Sequence, residues 1–190
     1  MERMIKLGIS ARHIHLDRGA MDVLFGKDSQ LHKIKDLGQP GDFTSEEKVD
    51  LISEKAILRG LRVIGPLRKQ TQIELAMADA RALGLNPPLR DSGNLKGSAG
   101  IKIIGPDGEL TIPEGVIIAE RHIHLDLPTA AAFGLKDGEH VRIRVPGVRP
   151  VVFEAVLVRA KANYAPEFHI DTDEGNACFA KNGEMVEIIG

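Results

Sequence analysis

The sequence predicts a mainly β fold of β-barrels capped by short α-helices, built from two related halves, and three observations carry that prediction. The hexapeptide Arg12-His13-Ile14-His15-Leu16-Asp17 recurs without a change as Arg121-His122-Ile123-His124-Leu125-Asp126. Brief runs of strand-forming residues alternate with Gly/Pro turns along most of the 190 residues. Segments of helical character are few and short, which argues against a doubly wound α/β sheet.

The duplication extends past the hexapeptide. Asp17 is followed by residues 18–25 and Gly26, and Asp126 by residues 127–133 and Gly134. Each copy reads as a strand, an Asp N-cap, a short helix and a terminating glycine. Pro128 suits the first turn of the second helix, where its missing N–H costs nothing. Duplication of such a unit predicts two related halves facing each other. Residues 4–9, 49–53, 57–64, 101–104, 115–119, 141–145, 151–158 and 185–189 are rich in β-branched and apolar types and predict strands. Gly65-Pro66, Gly105-Pro106-Asp107-Gly108, Asp137-Gly138 and Asn182-Gly183 mark turns, and residues 79–83 before Gly84 predict a short helix.

A chain of this length buries a substantial core as one domain or as two small ones. Hydrophobic residues make up 43% and charged residues 27%, ordinary values that exclude extensive disorder. A net charge of −2 gives no reason for a bulk nucleic-acid or membrane partner, and leaves room for a local basic pocket that takes a phosphorylated small molecule. The lone Cys178 excludes an internal disulfide framework and a Cys-rich zinc site, which fits a reducing cytosol. Residues 1–10 hold no secretory apolar run, and no segment approaches the roughly 20 apolar residues that span a bilayer.

In a strand, residues i and i+2 share a face, so each His-x-His sets two imidazoles side by side, with Cα atoms roughly 7 Å apart. That separation suits two ligands of one metal ion, with Ile14 turned to the barrel interior. A single His-x-His reads more readily as chance or a polar strand face than as a metal site. Two identical copies shift the balance to metal, because a solvated face has no need of the same hexapeptide twice. Catalytic zinc commonly takes three protein ligands and keeps one position open, so each pair needs a third partner. His169, in Phe168-His169-Ile170-Asp171, is one candidate and Glu74 the other. Thr71-x-x-Glu74 also matches a helix capping box, and the alternation of Ile73, Leu75 and Met77 with Gln72 and Glu74 matches a strand; the two readings stand level. Arg68, six positions before Glu74, reads as a solvated loop arginine or, with Glu74 as a ligand, as a grip for a phosphate or a developing oxyanion. The loops Arg90-Asp91-Ser92-Gly93 and Gly97-Ser98-Ala99-Gly100 are able to present N–H groups to an anion, a weak signal in each case. His32 and His140 fall in predicted loops and read as surface residues.

Several of these segments together resemble the PduL-type phosphate acyltransferases (phosphotransacylases). The resemblance is carried in order by Ser10-Ala11-Arg12-His13-Ile14-His15-Leu16, Gln39-Pro40-Gly41, Arg62-Val63-Ile64-Gly65-Pro66, Arg68 through Glu74, Pro88 through Gly93, the second Arg-His-Ile-His, and His169-Ile170-Asp171-Thr172-Asp173-Glu174. Departures are small: Ala99 stands where proline is common, and Gly175 where alanine is. The resemblance implies two β-barrel domains, one of residues 12–119 and the other of residues 1–11 with 120–190, and an active site between them. It implies one zinc on His13, His15 and Glu74 and a second on His122, His124 and His169. It gives Arg68 to phosphate, and Ser10, Lys35, Arg62 and Asn176 to coenzyme A. The implied reaction interconverts a short-chain acyl-CoA plus phosphate with acyl phosphate plus CoA, as in a phosphate acetyl- or propanoyltransferase. Some members carry an N-terminal extension that directs them to a bacterial microcompartment; the expectation here is cytoplasmic, with the microcompartment lumen reserved for a chain bearing such an extension. A homodimer is left open.

The chemistry suits direct attack of phosphate on the thioester carbonyl, with no covalent acyl-enzyme, since Cys178 has no paired base nearby in the sequence. Two rivals stand beside this reading. A di-zinc hydrolase would use the same ligands with water as the nucleophile, and a metal- or small-molecule-binding module would turn nothing over.

Overall fold

The computed structural model describes residues 2–189. In chain order the elements are β1 (Met4–Ser10), β2 (His13–His15), α1 (Arg18–Phe25), β3 (Lys33–Asp36), β4 (Phe43–Ile52), β5 (Ile57–Gly65), β6 (Gln72–Glu74), α2 (Met77–Leu83) and β7 (Leu89–Arg90). They continue with β8 (Ala99–Ile104), β9 (Glu109–Ala119), β10 (His122–Leu125), α3 (Leu127–Phe133), β11 (His140–Val145), β12 (Val151–Ala160), β13 (Glu167–Asp171), α4 (Thr172–Cys178) and β14 (Met185–Ile188). The fold is mainly β, as the duplicated motif and the short strands predict.

The chain divides into two compact units. The first holds Arg12–Leu37 and Gly41–Ala119; the second holds the chain up to Ala11, Gly38–Pro40, and the chain from Glu120 onward. The terminal residues 1 and 190 of the expected second domain lie outside the described residues. Gly38–Pro40 belongs to the second unit because the Gln39 side chain is bound to Ala165 through both its amide atoms.

Each unit is a closed six-stranded barrel. In the first, the ring runs β4-β5-β2-β6-β9-β8 and returns to β4, with β3 and β7 appended at β4 and β9. In the second, it runs β1-β13-β10-β12-β11-β14 and returns to β1. The two rings repeat one another strand for strand. The histidine strand, β2 or β10, has a parallel neighbour on one side, β5 or β12, and an antiparallel neighbour on the other, β6 or β13. Closure abolishes the open edges that would otherwise invite aggregation. The strand ahead of each histidine motif closes the other copy's ring: β9 pairs with β6 and β8, and β1 with β13 and β14.

Period-2 alternation fills the barrels. Along β11, Val141, Ile143 and Val145 are buried and the residues between them exposed. Ile14 packs into the first core and Ile123 into the second, both fully buried. Helix starts follow their caps: Asp17 accepts from Ala20 N, and Asp126 from Thr129 N. Gly134 takes the left-handed conformation that ends α3, where a side chain would be strained.

Two local expectations change. Residues 72–74 are strand β6, so the capping-box reading of Thr71 and Glu74 falls to alternation. A capping box does exist at Asp171 and Glu174, where it starts α4. His140 opens strand β11 instead of lying in a loop, and remains exposed.

Candidate metal centres

The i, i+2 geometry of β2 and β10 places the histidine pairs on the face opposite Ile14 and Ile123. Ring centroids are 5.0 Å apart for His13 and His15, and 4.7 Å for His122 and His124. Register supplies the third member. In the first unit His13 lies opposite Glu74 across the β2–β6 ladder; in the second His122 lies opposite His169 across the β10–β13 ladder. The outcome is two constellations, His13-His15-Glu74 and His122-His124-His169, each with candidate ligand atoms within 4.8 Å of one another.

The donor sets fit a divalent cation. Metal ligation requires neutral imidazoles, and burial pushes the His15 imidazole well below its ordinary value, assisted by His13 and Arg68. Burial, with His122 and His169 beside it, takes His124 down to about 2. The Nδ1 of His15 lies 3.0 Å from the Ile64 carbonyl and that of His122 lies 2.8 Å from the Glu120 carbonyl. A carbonyl only accepts, so Nδ1 carries the proton in both rings and Nε2 is left with its lone pair. The buried Nδ1 of His124 has no hydrogen-bond partner among the described residues, a polar atom that still wants one. Tyr164 covers the His124 ring at 4.3 Å.

Around the first constellation the polar groups are linked. Arg68 donates to Ser92 Oγ at 3.1 Å, Gln72 Nε2 donates to the same oxygen at 2.7 Å, and both Gln72 and Ser92 donate to Glu74 Oε1. Arg68 is half-buried, not a solvated loop residue. Around the second, Glu167 accepts from His169 Nε2 at 2.8 Å, and that bond, against the opposing effect of burial, holds its carboxyl below the usual range.

The four positions assigned to coenzyme A divide between the units. Ser10 ends β1 opposite Asp171, and Asn176 is exposed on α4, both in the second unit. Lys35 is exposed on β3, and Arg62 lies beside His13 on β5 with its guanidinium donating to the Ser45 carbonyl at 2.8 Å, both in the first. Reasoning from the sequence missed Gln72, Glu167, Gln39 and Tyr164. Each of the first two stands two residues before a candidate third ligand, on the same strand face, a spacing that does not single it out until the strand register is known.

Two closed barrels, each carrying a three-residue group able to hold a metal ion, define a duplicated candidate metalloprotein. A family model described as phosphate propanoyltransferase matches residues 6–181. A phosphate propanoyltransferase from Rhodopseudomonas palustris is 47% identical over 184 residues, covering 97% of this chain and 81% of that protein. One from Thermotoga maritima is 45% identical over 186 residues, covering 97% and 89%, and one from Listeria monocytogenes is 36% identical over 189 residues, covering 100% and 89%. The chain therefore belongs to the phosphate propanoyltransferase family, which bears out the resemblance seen in its motifs. Among the described residues no helix is long and apolar enough to cross a membrane.

Proposed function

We propose that the chain is a phosphate acyltransferase that interconverts a short-chain acyl-CoA plus phosphate with acyl phosphate plus CoA, with zinc at both histidine constellations. The observation that carries this reading is the pair of three-residue ligand sets within a chain of this family. His13, His15 and Glu74 would hold one ion, and His122, His124 and His169 the other.

In the forward direction a phosphate oxygen attacks the thioester carbonyl carbon, the C–S bond breaks, and CoA departs as a thiolate. An ion held by each set would supply Lewis-acid charge that favours a thiolate leaving group and offsets charge on phosphate. Arg68 acts as the catalytic residue that grips the phosphate. Its guanidinium is already held by Ser92, so little reorganisation accompanies that contact. Ser10, Lys35, Arg62 and Asn176 are assigned to CoA. Cys178 is buried with its sulfur against the Glu174 and Gly175 carbonyls, a setting that supports direct phosphate attack over an acyl-cysteine.

Thiol release from acetyl-CoA and propionyl-CoA by zinc-loaded protein, with and without phosphate, tests the reading. Release that requires phosphate and stops with a chelator is expected. Equal release without phosphate would make the protein a hydrolase, and a stable acylated chain would overturn direct attack.

A further inference from the structure

The duplication reaches past the histidine strands into the segments that follow their parallel neighbours. The β2–β5 ladder sets Arg62 beside His13 and Val63 beside Ile14; the β10–β12 ladder sets Leu157 beside His122, Val158 beside Ile123 and Arg159 beside His124. Ile64 and Arg159 are therefore equivalent. A hydrogen bond marks the next equivalence. The Arg68 N–H donates to the Leu16 carbonyl at 2.8 Å, and the Lys161 N–H donates to the Leu125 carbonyl at 3.1 Å. Leu16 and Leu125 are the same residue of the repeated hexapeptide, so Lys161 stands where Arg68 stands. The first unit reaches that place through Gly65-Pro66-Leu67, the second through Ala160 alone.

The basic side chains act on the same histidine of each pair. Burial, then His13 and then Arg68 depress His15. Burial, then His122, His169, Arg159 and Lys161 depress its equivalent, His124. Arg159 is half-buried and Lys161 exposed. Arg159 Nη1 lies 3.4 Å from His124 Nε2, longer than the roughly 2.7–2.9 Å of a charge-assisted bond to an anion. The Lys161 ammonium lies 5.5 Å from the centre of the Tyr164 ring, and that ring covers His124 at 4.3 Å. Glu167, across the β10–β13 ladder from His124, has its carboxylate engaged by Gln39 at 3.4 Å and His169 at 2.8 Å. Two cations are thus held near one neutral imidazole, where they repel each other and attract an anion.

We propose that Arg159 and Lys161 form a second oxyanion-binding pair, the counterpart in the second unit of Arg68 in the first, and that the pair takes an oxygen of phosphate or of the phosphoryl group of acyl phosphate. The guanidinium offers a rigid fork of donors matched to phosphate oxygens, and the ammonium adds a point charge on a flexible stem. The proposal rests on the acyltransferase reading above, and its test separates the two.

Thiol release by zinc-loaded protein is measured over a phosphate series at fixed propionyl-CoA, and over a propionyl-CoA series at fixed phosphate. Binding without turnover is read from the phosphorus NMR line width of inorganic phosphate added to the same protein. Arg159→Ala raises the KM for phosphate about 10- to 100-fold, the scale of a lost hydrogen bond to a charged group, and leaves the KM for propionyl-CoA unchanged. Arg159→Lys recovers part of that loss. Lys161→Glu, at an exposed position, also raises the KM for phosphate and keeps the test informative if Arg159→Ala does not fold. The phosphate signal, broadened by wild type, sharpens in each of these variants at equal zinc content. An unchanged KM for phosphate in folded Arg159→Ala or in Lys161→Glu, or a rise confined to propionyl-CoA, overturns the proposal. Absence of phosphate-dependent thiol release in the wild type overturns instead the acyltransferase reading beneath it.

Discussion

The two barrels carry the same hexapeptide on equivalent strands, yet their candidate centres differ at one register position. Opposite His13 the first barrel has Glu74; opposite His122 the second has His169. One candidate ligand set is therefore anionic, with two histidines, and the other is neutral, with three, although the Glu167 carboxylate stands behind His169. The lesson is that a duplicated scaffold keeps its candidate ligand positions while the chemistry at a single rung differs. An anionic ligand set offsets more of an ion's charge, and the neutral set leaves more of it for a substrate.

The largest break in that comparison comes from removing one histidine from either centre. His13→Ala and His122→Ala are each expected to abolish phosphate-dependent thiol release if the proposed reaction uses both centres; a variant with near wild-type turnover would show that its centre is not needed. Arg68→Ala is expected to keep the metal content, raise the apparent phosphate requirement, and lower kcat/KM for phosphate on the order of 10²–10³-fold, the scale seen when one preorganised charge-stabilising group is lost. Steady-state kinetics over a phosphate series reads this. Wild-type behaviour would remove Arg68 from phosphate binding.

Smaller effects separate the two helix caps. Among the described residues the Asp126 carboxylate bonds within its own first turn, to Thr129 N and Oγ1. Asp17 caps Ala20 N and also accepts from Thr71 N and Thr71 Oγ1, in a buried setting. Asp126→Ala should cost about 1 kcal/mol. Asp17→Ala should cost about 2–3 kcal/mol, because a buried N–H and hydroxyl lose their partner. Urea unfolding of the two variants checks the order.

The smallest effect concerns His32. Its hydrogen bond to Glu47, at 2.7 Å, raises the imidazole above its ordinary value. A raised histidine contributes stability that is fully present below its unfolded pKa of about 6.5 and is lost as pH rises through the folded value. The difference in Tm between wild type and His32→Asn should therefore be small near about pH 5.5 and vanish by about pH 8.5. A difference that grows with pH would contradict the sign.

Much of this was legible in the chain. The repeated Arg-His-Ile-His-Leu-Asp, with an Asp cap before a short helix and a glycine after it, announces β2-α1 and β10-α3. Strands such as β11 show themselves because three buried apolar residues alternate with exposed ones. What stayed hidden was short or non-local. Strands of two to five residues, such as β3, β6, β7 and β13, are too brief for periodicity to outweigh a cap signal. The pairing of Leu7 with Phe168 joins the two ends of the chain, and nothing in residues 4–10 announces it. The same holds for the site. His169 and Glu74 were visible as ligand types, but Gln72 and Glu167 acquire meaning only when register fixes which side chains face one another.

The most direct test of the account is elemental analysis of zinc per chain in wild type, His13→Ala and His122→Ala after zinc loading and removal of excess ion. Two ions in the wild type and one in each variant are predicted. Two ions retained in either variant, or none in the wild type, would contradict the assignment of one centre to each barrel.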